Sequence, residues 1–411
     1  MAIGTANPRL WRQFDWVMFL AVVALLGFSL ACIDSVTHNT TLHRDFTQQL
    51  EMVVPALGAL LLVAAYGYEW LRSSARYIYI VNVVALAAVI VIGHSALGAQ
   101  RWISLAGFRF QPSEFAKLAL IVTLAKVLSD KNVHAPDGVI TVLATVAVPA
   151  ILIFKQPDLG TALVYGAIAL GMLYWAGLSP AAIFNMLSPA VSMIVFALGL
   201  WWWIAYMFGL AVFLLWSRRH HWLVPISLGG LNLLTGIASH KVWGMLKPYQ
   251  KQRILTFLNP NSDPLGAGYH VIQSKIAIGS GGFWGEGLFH GTQTQLHFIP
   301  EQHTDFIFSV VGEELGFIGA IVLLALYAVV IGRGIVIANR TKDPFASLLA
   351  IGVVTMLLFH VFVNIGMATG LMPVVGIPLP LMSFGRTSLL TNVIAIGLLE
   401  AIAMRQKKLL F

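Results

Sequence analysis

The chain has 411 residues, 58% of them hydrophobic and only 10% charged, whereas an ordinary soluble domain carries about 25% charged residues. Its 25 basic and 17 acidic side chains cannot cover a soluble protein of this size. A soluble enzyme, a disordered chain and a nucleic-acid binder are therefore excluded, and an all-α, polytopic transmembrane helical bundle is left. The net charge of +8 fits lysine and arginine gathered at cytoplasmic helix ends.

Arg9 and Arg12 precede an apolar run from about Trp16 to Cys32. A signal-peptide core is only about 7–15 residues long; this run is longer, many similar runs follow, and it reads as the first span. Cys32 is the only cysteine, so neither a disulfide within the chain nor a cysteine metal cluster can form. A bilayer core needs about 20 apolar helical residues. Qualifying runs centre on 16–34, 52–68, 77–95, 113–128, 138–154, 160–177, 182–199, 201–216, 222–239, 317–332, 346–366 and 387–404, which predicts about 12 spans. Residues 182–216 carry no charge and would make one helix of roughly 52 Å, too long for one crossing. A break is predicted near Gly199 and Trp201–Trp203, whose indoles suit a membrane–water interface.

With both termini cytoplasmic, the inner segments hold Arg9, Arg12, Arg72, Arg76, Lys126, Lys131, Arg218, Arg219, Arg333, Arg340, Lys342, Arg405, Lys407 and Lys408. The short outer loops hold only Arg44, Arg101, Arg109, Lys155 and Arg386, which obeys the positive-inside rule. The Arg218–Arg219 pair falls inside only if 182–240 crosses three times. One long extracytoplasmic loop, about 241–316, carries Lys247, Lys251, Arg253 and Lys275. No soluble domain separates, so 1–411 reads as a single integral membrane domain.

Ionisable residues within a span are costly and mark function by default. Glu114 and Lys117, three apart in the fourth span, share a helix face and can pair. They read either as a self-compensated pair near the interface or as the polar wall of an outward-open cavity, with Lys117 suited to an anionic ligand. Asp305 precedes the apolar run that becomes the next span, with Glu313 and Glu314 inside it. It reads either as a helix-capping carboxylate or as a general base where a lipid-linked substrate docks. The run Gly279-Ser280-Gly281-Gly282 lacks the lysine and Ser/Thr of a phosphate loop. The twelve histidines have no ligand spacing. Pro373, Pro378 and Pro380 with Gly376 and Gly385 break the helix before the last span. Non-helical backbone at membrane depth is tolerated where it lines a cavity, which makes 372–386 a second wall of the outer cavity.

Several stretches carry a resemblance. They are Gly98 to Trp102, Gln111 to Lys117, Gln156 to Thr161, Lys247 to Arg253, Asp263 to Tyr269, Gln273 to Gly282, Pro300 to Gly316, and Asn364 to Met367 with Pro378-Leu379-Pro380. Together and in this order the chain resembles the SEDS family (shape, elongation, division and sporulation), most closely its elongation member. The resemblance implies a peptidoglycan glycosyltransferase that polymerises lipid II, a disaccharide-peptide on undecaprenyl diphosphate, at the outer face of the bacterial cytoplasmic membrane. The family's essential aspartate maps onto Asp305, its sensitive tryptophan onto Trp102, and its intramembrane pair onto Glu114 and Lys117.

The chemistry of such a transfer needs a base for the acceptor hydroxyl and cations to hold the leaving diphosphate, and Asp305 is the expected base. Substrate-binding candidates are Trp102, Arg101, Glu114, Lys117, Lys155, Lys247, Arg253 and Lys275, with a divalent cation, Mg or Mn, as the one cofactor to consider. A class B penicillin-binding protein transpeptidase and other elongation-complex proteins are the implied partners. Two departures stand out. The family has about ten spans, and the surplus here lies in 178–240. Arg386 stands where the family carries a glycine, placing a cation that can meet a diphosphate. A lipid II flippase and a non-catalytic scaffold are the competing readings.

Overall fold

The computed structural model describes residues 8–38, 40, 42–92, 94–96, 99–105, 108–156, 158–216, 223–245, 248–258 and 268–406. A single turn, α1 (Pro8–Trp11), leads into α2 (Trp16–Thr37), α3 (His43–Tyr66) and α4 (Glu69–Ile92). Three short strands follow: β1 (His94–Ala96), β2 (Ala99–Leu105) and β3 (Phe108–Phe110). Next come α5 (Pro112–Asp130), α6 (Pro136–Lys155), α7 (Leu159–Trp175), α8 (Pro180–Leu198), α9 (Leu200–Trp216) and α10 (Leu223–Met245). The long loop holds α11 (Pro248–Leu258), α12 (Tyr269–Ser280), α13 (Thr292–Gln295) and α14 (Ile307–Glu314). The chain closes with α15 (Gly316–Arg340), α16 (Pro344–Ala368) and α17 (Arg386–Ala403).

Each of the twelve apolar runs coincides with a helix. Among the described residues eight helices, α2, α3, α4, α6, α8, α15, α16 and α17, are long and apolar enough to cross a membrane. α7 and α9 are apolar but have only 17 residues each, and α5 carries Glu114, Lys117, Lys126 and Asp130. The strands are an addition to the helical expectation. The run expected over 77–95 stops as a helix at Ile92. They form an antiparallel meander in the order β1-β2-β3, with His94 opposite Trp102 and Ile103 opposite Phe110. The central strand, which carries Arg101 and Trp102, packs against α4 and α5.

The chain divides into two compact units, one of residues 1–176 and 256–411, the other of 177–255. In the first, α16 and α17 are the most enclosed spans, with 72% and 78% of their membrane-length windows buried against 22% for α3. That burial makes α16 the axis, and it packs on α5, α7 and α15 and on the short helices α12 and α14. Pro344 occupies its first turn and the Asp343 carboxylate caps it by accepting from the Phe345 amide at 3.2 Å, a start signal legible in sequence.

The glycine run after α12 serves close packing. A Cβ on Gly281 would lie 2.0 Å from the Gly312 carbonyl oxygen and 2.6 Å from that of Glu313, so two backbones touch there. Gly281→Ala must push α12 and α14 apart. It is expected to lower the unfolding temperature and cut the yield of folded protein, measured against Gly279→Ala, whose added methyl meets nothing within 4 Å.

The second unit is built on α8, α9 and α10. The break expected near Gly199 is there: α8 ends at Leu198 and α9 begins at Leu200. Trp201 and Trp202 face outward, 82% and 70% exposed. Trp203 instead turns inward, and its Nε1–H donates to Ser192 Oγ at 2.9 Å. The Asn232 amide donates to Ser188 Oγ at 2.9 Å and its carbonyl oxygen accepts from the Tyr206 hydroxyl at 3.2 Å. Polar side chains buried in an apolar unit are thus paired across its helices, as burial requires.

Candidate active site

Asp305 lies at the end of an irregular turn, directly before α14. Three amides, those of Thr304, Asp305 and Phe306, donate to the one Glu301 carbonyl. Glu301 itself takes φ 53, a left-handed backbone uncommon outside glycine. The turn is also held from outside, by the segment between α16 and α17 and by Asn364 of α16. The Phe384 amide donates to the His303 carbonyl at 2.8 Å. The Ser383 hydroxyl donates to the Thr304 carbonyl. The Asn364 amide donates to the Asp305 carbonyl at 2.9 Å. Three consecutive carbonyls are each met by a donor from the last third of the chain.

The same segment faces the Asp305 carboxylate. A Cβ on Gly376, at φ +71, would lie 3.3 Å from Asp305 Oδ2, so backbone runs directly beside the acid. On the far side of this segment, a Cβ on Gly160 would lie 2.9 Å from the Val375 carbonyl oxygen. That brings in the start of α7, where Asp158 caps the helix and accepts from the Thr161 amide and hydroxyl at 3.2 and 3.0 Å. The broken stretch 372–386 therefore runs directly beside Asp305. Asp305 is not the N-cap of α14; Phe306 holds that position and no side chain caps it. A carboxylate one residue before the N-cap still complements the helix dipole.

Lys275 is carried by α12, which packs against α14 and α16. Ser274 Oγ lies 2.6 Å from both Ser309 Oγ and the Ala368 carbonyl oxygen, and these two partners stand one helical turn beyond Asp305 and Asn364. The next residue, Lys275, is exposed, and a Cβ on Gly370 would lie 3.7 Å from its Nζ. Lys155 is the exposed last residue of α6, five residues before Gly160. Arg101 and Trp102 are placed on β2, and Arg386 opens α17. Lys247 lies outside the described residues. Arg253, on α11, belongs to the second unit.

Glu114 and Lys117 take the self-compensated form. Lys117 Nζ lies 2.8 Å from Glu114 Oε1 and 3.1 Å from His360 Nε2, and Lys117 is 2% exposed. His360 Nδ1 lies 2.6 Å from the Met356 carbonyl oxygen, so Nδ1 carries the proton and Nε2 accepts from the ammonium. Lys117 is expected from its depth to meet an anionic ligand at an outward-open wall. In the structure the ammonium is buried between Glu114 and His360, as a desolvated charge requires, while Glu114 Oε2 is buried with no partner among the described residues. His360 and Asn364 stand four residues apart on one face of α16, so one helix face touches both the buried pair and the Asp305 turn. No periodic pattern marks either residue in the sequence.

His303, beside Asp305, is 9% exposed, and its Nε2 lies 3.6 Å from Asp45 Oδ2. Burial holds its pKa below the ordinary histidine value despite Glu301 and Asp45, so it is neutral at pH 7. The other loop carboxylates have structural work. Glu313 accepts from the Gln293 and Thr294 amides at 2.6 and 2.9 Å, which fastens α13. Glu314 accepts from the Ser35 hydroxyl, while its second oxygen is buried with no partner among the described residues.

Burial pushes the Glu314 carboxyl up to about 7 from 4.5, outweighing the hydrogen bonds from Ser35 and Gln295. Between those values the folded protein holds more protons than the unfolded chain, so stability falls as pH rises through that window. The full shift is worth on the order of 3 kcal/mol. Glu314→Gln is expected to remove this fall, and unfolding temperatures of both proteins from pH 5 to 8 check it.

Among the described residues no group of three or more His, Cys, Asp or Glu side chains could hold a metal ion. An open groove of about 570 Å³ in the second unit is lined by Pro180, Phe184, Tyr206, Leu210 and Phe213. Its walls are apolar and carry no acid or base suited to catalysis.

A family model for FtsW/RodA/SpoVE, described as cell cycle proteins, matches residues 9–204 and 199–408. The chain belongs to this family. It is 36% identical over 412 residues to the peptidoglycan glycosyltransferase MrdB of Escherichia coli K12, covering 98% of this chain and 99% of that one. It is 36% identical over 431 residues to the peptidoglycan glycosyltransferase RodA of Treponema pallidum, covering 96% and 98%. Among solved structures it is similar to a chain from a study of structural coordination of polymerization and crosslinking by a peptidoglycan synthase complex. That likeness has TM-score 0.73 and 30% identity over 96% of this chain and 98% of that one. The rod shape determining protein RodA of Thermus thermophilus matches with TM-score 0.60 and 25% identity over 96% and 97%. Family membership and the eight span-capable helices among the described residues make the chain a multi-pass protein of the cytoplasmic membrane.

Proposed function

We propose that the chain is a peptidoglycan glycosyltransferase that polymerises lipid II into β-1,4 glycan strands at the outer face of the cytoplasmic membrane during cell elongation. Full-length identity of 36% to relatives that bear this activity in their names carries the reading. About 12 crossings with both termini inside would place Asp305 on the outer side.

An acceptor sugar hydroxyl attacks the anomeric carbon of the donor while the bond to the diphosphate oxygen breaks. The leaving lipid diphosphate keeps that electron pair, and Asp305 takes the hydroxyl proton. Direct displacement inverts an α-linked donor to a β linkage. A hydroxyl is a poor nucleophile at neutral pH, and a placed carboxylate can contribute about 10²–10⁴-fold. Lys275 and Lys155 supply charge that can steady the departing diphosphate. No step is routed through a metal. The held turn supports the role of Asp305, because general-base catalysis needs the carboxylate fixed near the hydroxyl.

The name of the synthase-complex study couples polymerization with crosslinking, which supports a crosslinking partner; a class B penicillin-binding protein is the one proposed. Vesicles loaded with fluorescent lipid II on one leaflet separate this function from flipping. Polymer formed on the leaflet that holds Asp305, without transfer of label between leaflets, is expected. Transfer without polymer would make the protein a flippase.

A further inference from the structure

We propose that Asn364 is a positioning residue for catalysis, one side-chain amide that sets both the Asp305 turn and the backbone facing its carboxylate. The inference rests on the reading of Asp305 as the general base. Asn364 is fully buried in α16, at 0% exposure. Its Nδ2 donates to the Asp305 carbonyl at 2.9 Å and to the Ile377 carbonyl at 2.8 Å. Both partners are acceptors only, so the nitrogen must point at them and the amide orientation is forced. The Oδ1 is left buried with no partner among the described residues.

Leaving a buried acceptor unpaired is unfavourable, so this amide serves its two donor bonds at the expense of its own oxygen. Ile377 follows Gly376, whose backbone stands beside Asp305 Oδ2. One nitrogen thus ties the residue that carries the carboxylate to the strip of chain that the carboxylate faces. α16 is the buried axis of its unit, so the tie is made to a rigid element. Loop residues held in this way keep a reacting group within the narrow range that catalysis tolerates. Two left-handed non-glycine residues flank the tie, Glu301 at φ 53 and Leu381 at φ 64. Such backbone persists only where its surroundings over-determine it.

Ser383 makes a lesser version of the same tie. Its hydroxyl donates to the Thr304 carbonyl and accepts from the Leu379 amide at 2.8 Å. Removing it should loosen the turn one residue away from the acid while leaving the Asn364 bonds in place.

The test uses the full chain in detergent or vesicles with lipid II, on preparations whose size-exclusion profile and unfolding temperature show folded protein. Asn364→Ala and Asn364→Asp are expected to lower kcat about 10–100-fold with the KM for lipid II changed less than threefold. Ser383→Ala should lower kcat less than tenfold. In the Asp305→Asn background, Asn364→Ala should have no further effect, because no carboxylate remains to be placed. An unchanged kcat, a loss confined to KM, or an equal further loss in the Asp305→Asn background would each overturn the positioning role. Full activity in Asp305→Asn alone would instead overturn the general-base reading, so the two failures are distinguishable.

Discussion

Asp305→Asn is expected to lower glycan polymerisation by about 10²–10⁴-fold, the range a general base contributes, while the folded protein survives. The substitution keeps size and shape. It leaves the bonds that define the turn, because those run through backbone: the Asp305 amide to Glu301 and the Asp305 carbonyl to Asn364. The ability to take a proton goes, and the negative charge goes with it. The surroundings make the effect specific. The neighbouring imidazole, His303, is buried and directed toward Asp45, and Glu313 and Glu314 are engaged with α13 and Ser35. Polymer yield from labelled lipid II, read on gels beside an unfolding curve, checks the claim.

The largest stability effect is expected at the buried pair. Removing one partner of a buried ion pair costs about 3–5 kcal/mol, because the other charge is left uncompensated. Lys117→Met would strand the Glu114 carboxylate, which is 4% exposed, and take the donor from His360 Nε2. The double variant Glu114→Gln/Lys117→Met should recover most of the loss, since replacing both charges removes the desolvation penalty with the attraction. Unfolding temperatures of the two single variants and the double form a cycle that measures this coupling. A single variant as stable as the parent would contradict the buried triad. Both Lys117 and Asp305 lean on α16, so slackening at His360 should also reach Asn364, one turn away.

Much of this was legible in the residues. The apolar runs located the helices because membrane-length apolar segments have few alternatives. The uncharged 182–216 stretch had to break, and it breaks at Gly199. The prolines and glycines of 372–386 marked a broken stretch, and the chain packs that stretch against residues 303–305.

What escaped is tertiary. Asn364 and Asp305 are 59 residues apart and His360 and Lys117 are 243 apart; no period links such pairs. Either residue reads as an isolated polar side chain in an apolar helix until its partner is located. The burial of Lys117 escaped for the same reason, since its second partner, His360, comes from α16. The strands over 94–110 were masked by the apolar character of the run before them.

Purified protein incubated with labelled lipid II, alone and with a class B penicillin-binding protein, tests the central claim most directly. Long β-linked glycan from the parent chain, and none from Asp305→Asn at equal folded amounts, is the predicted result. Normal glycan from Asp305→Asn, or no polymer from the parent under either condition, would contradict it.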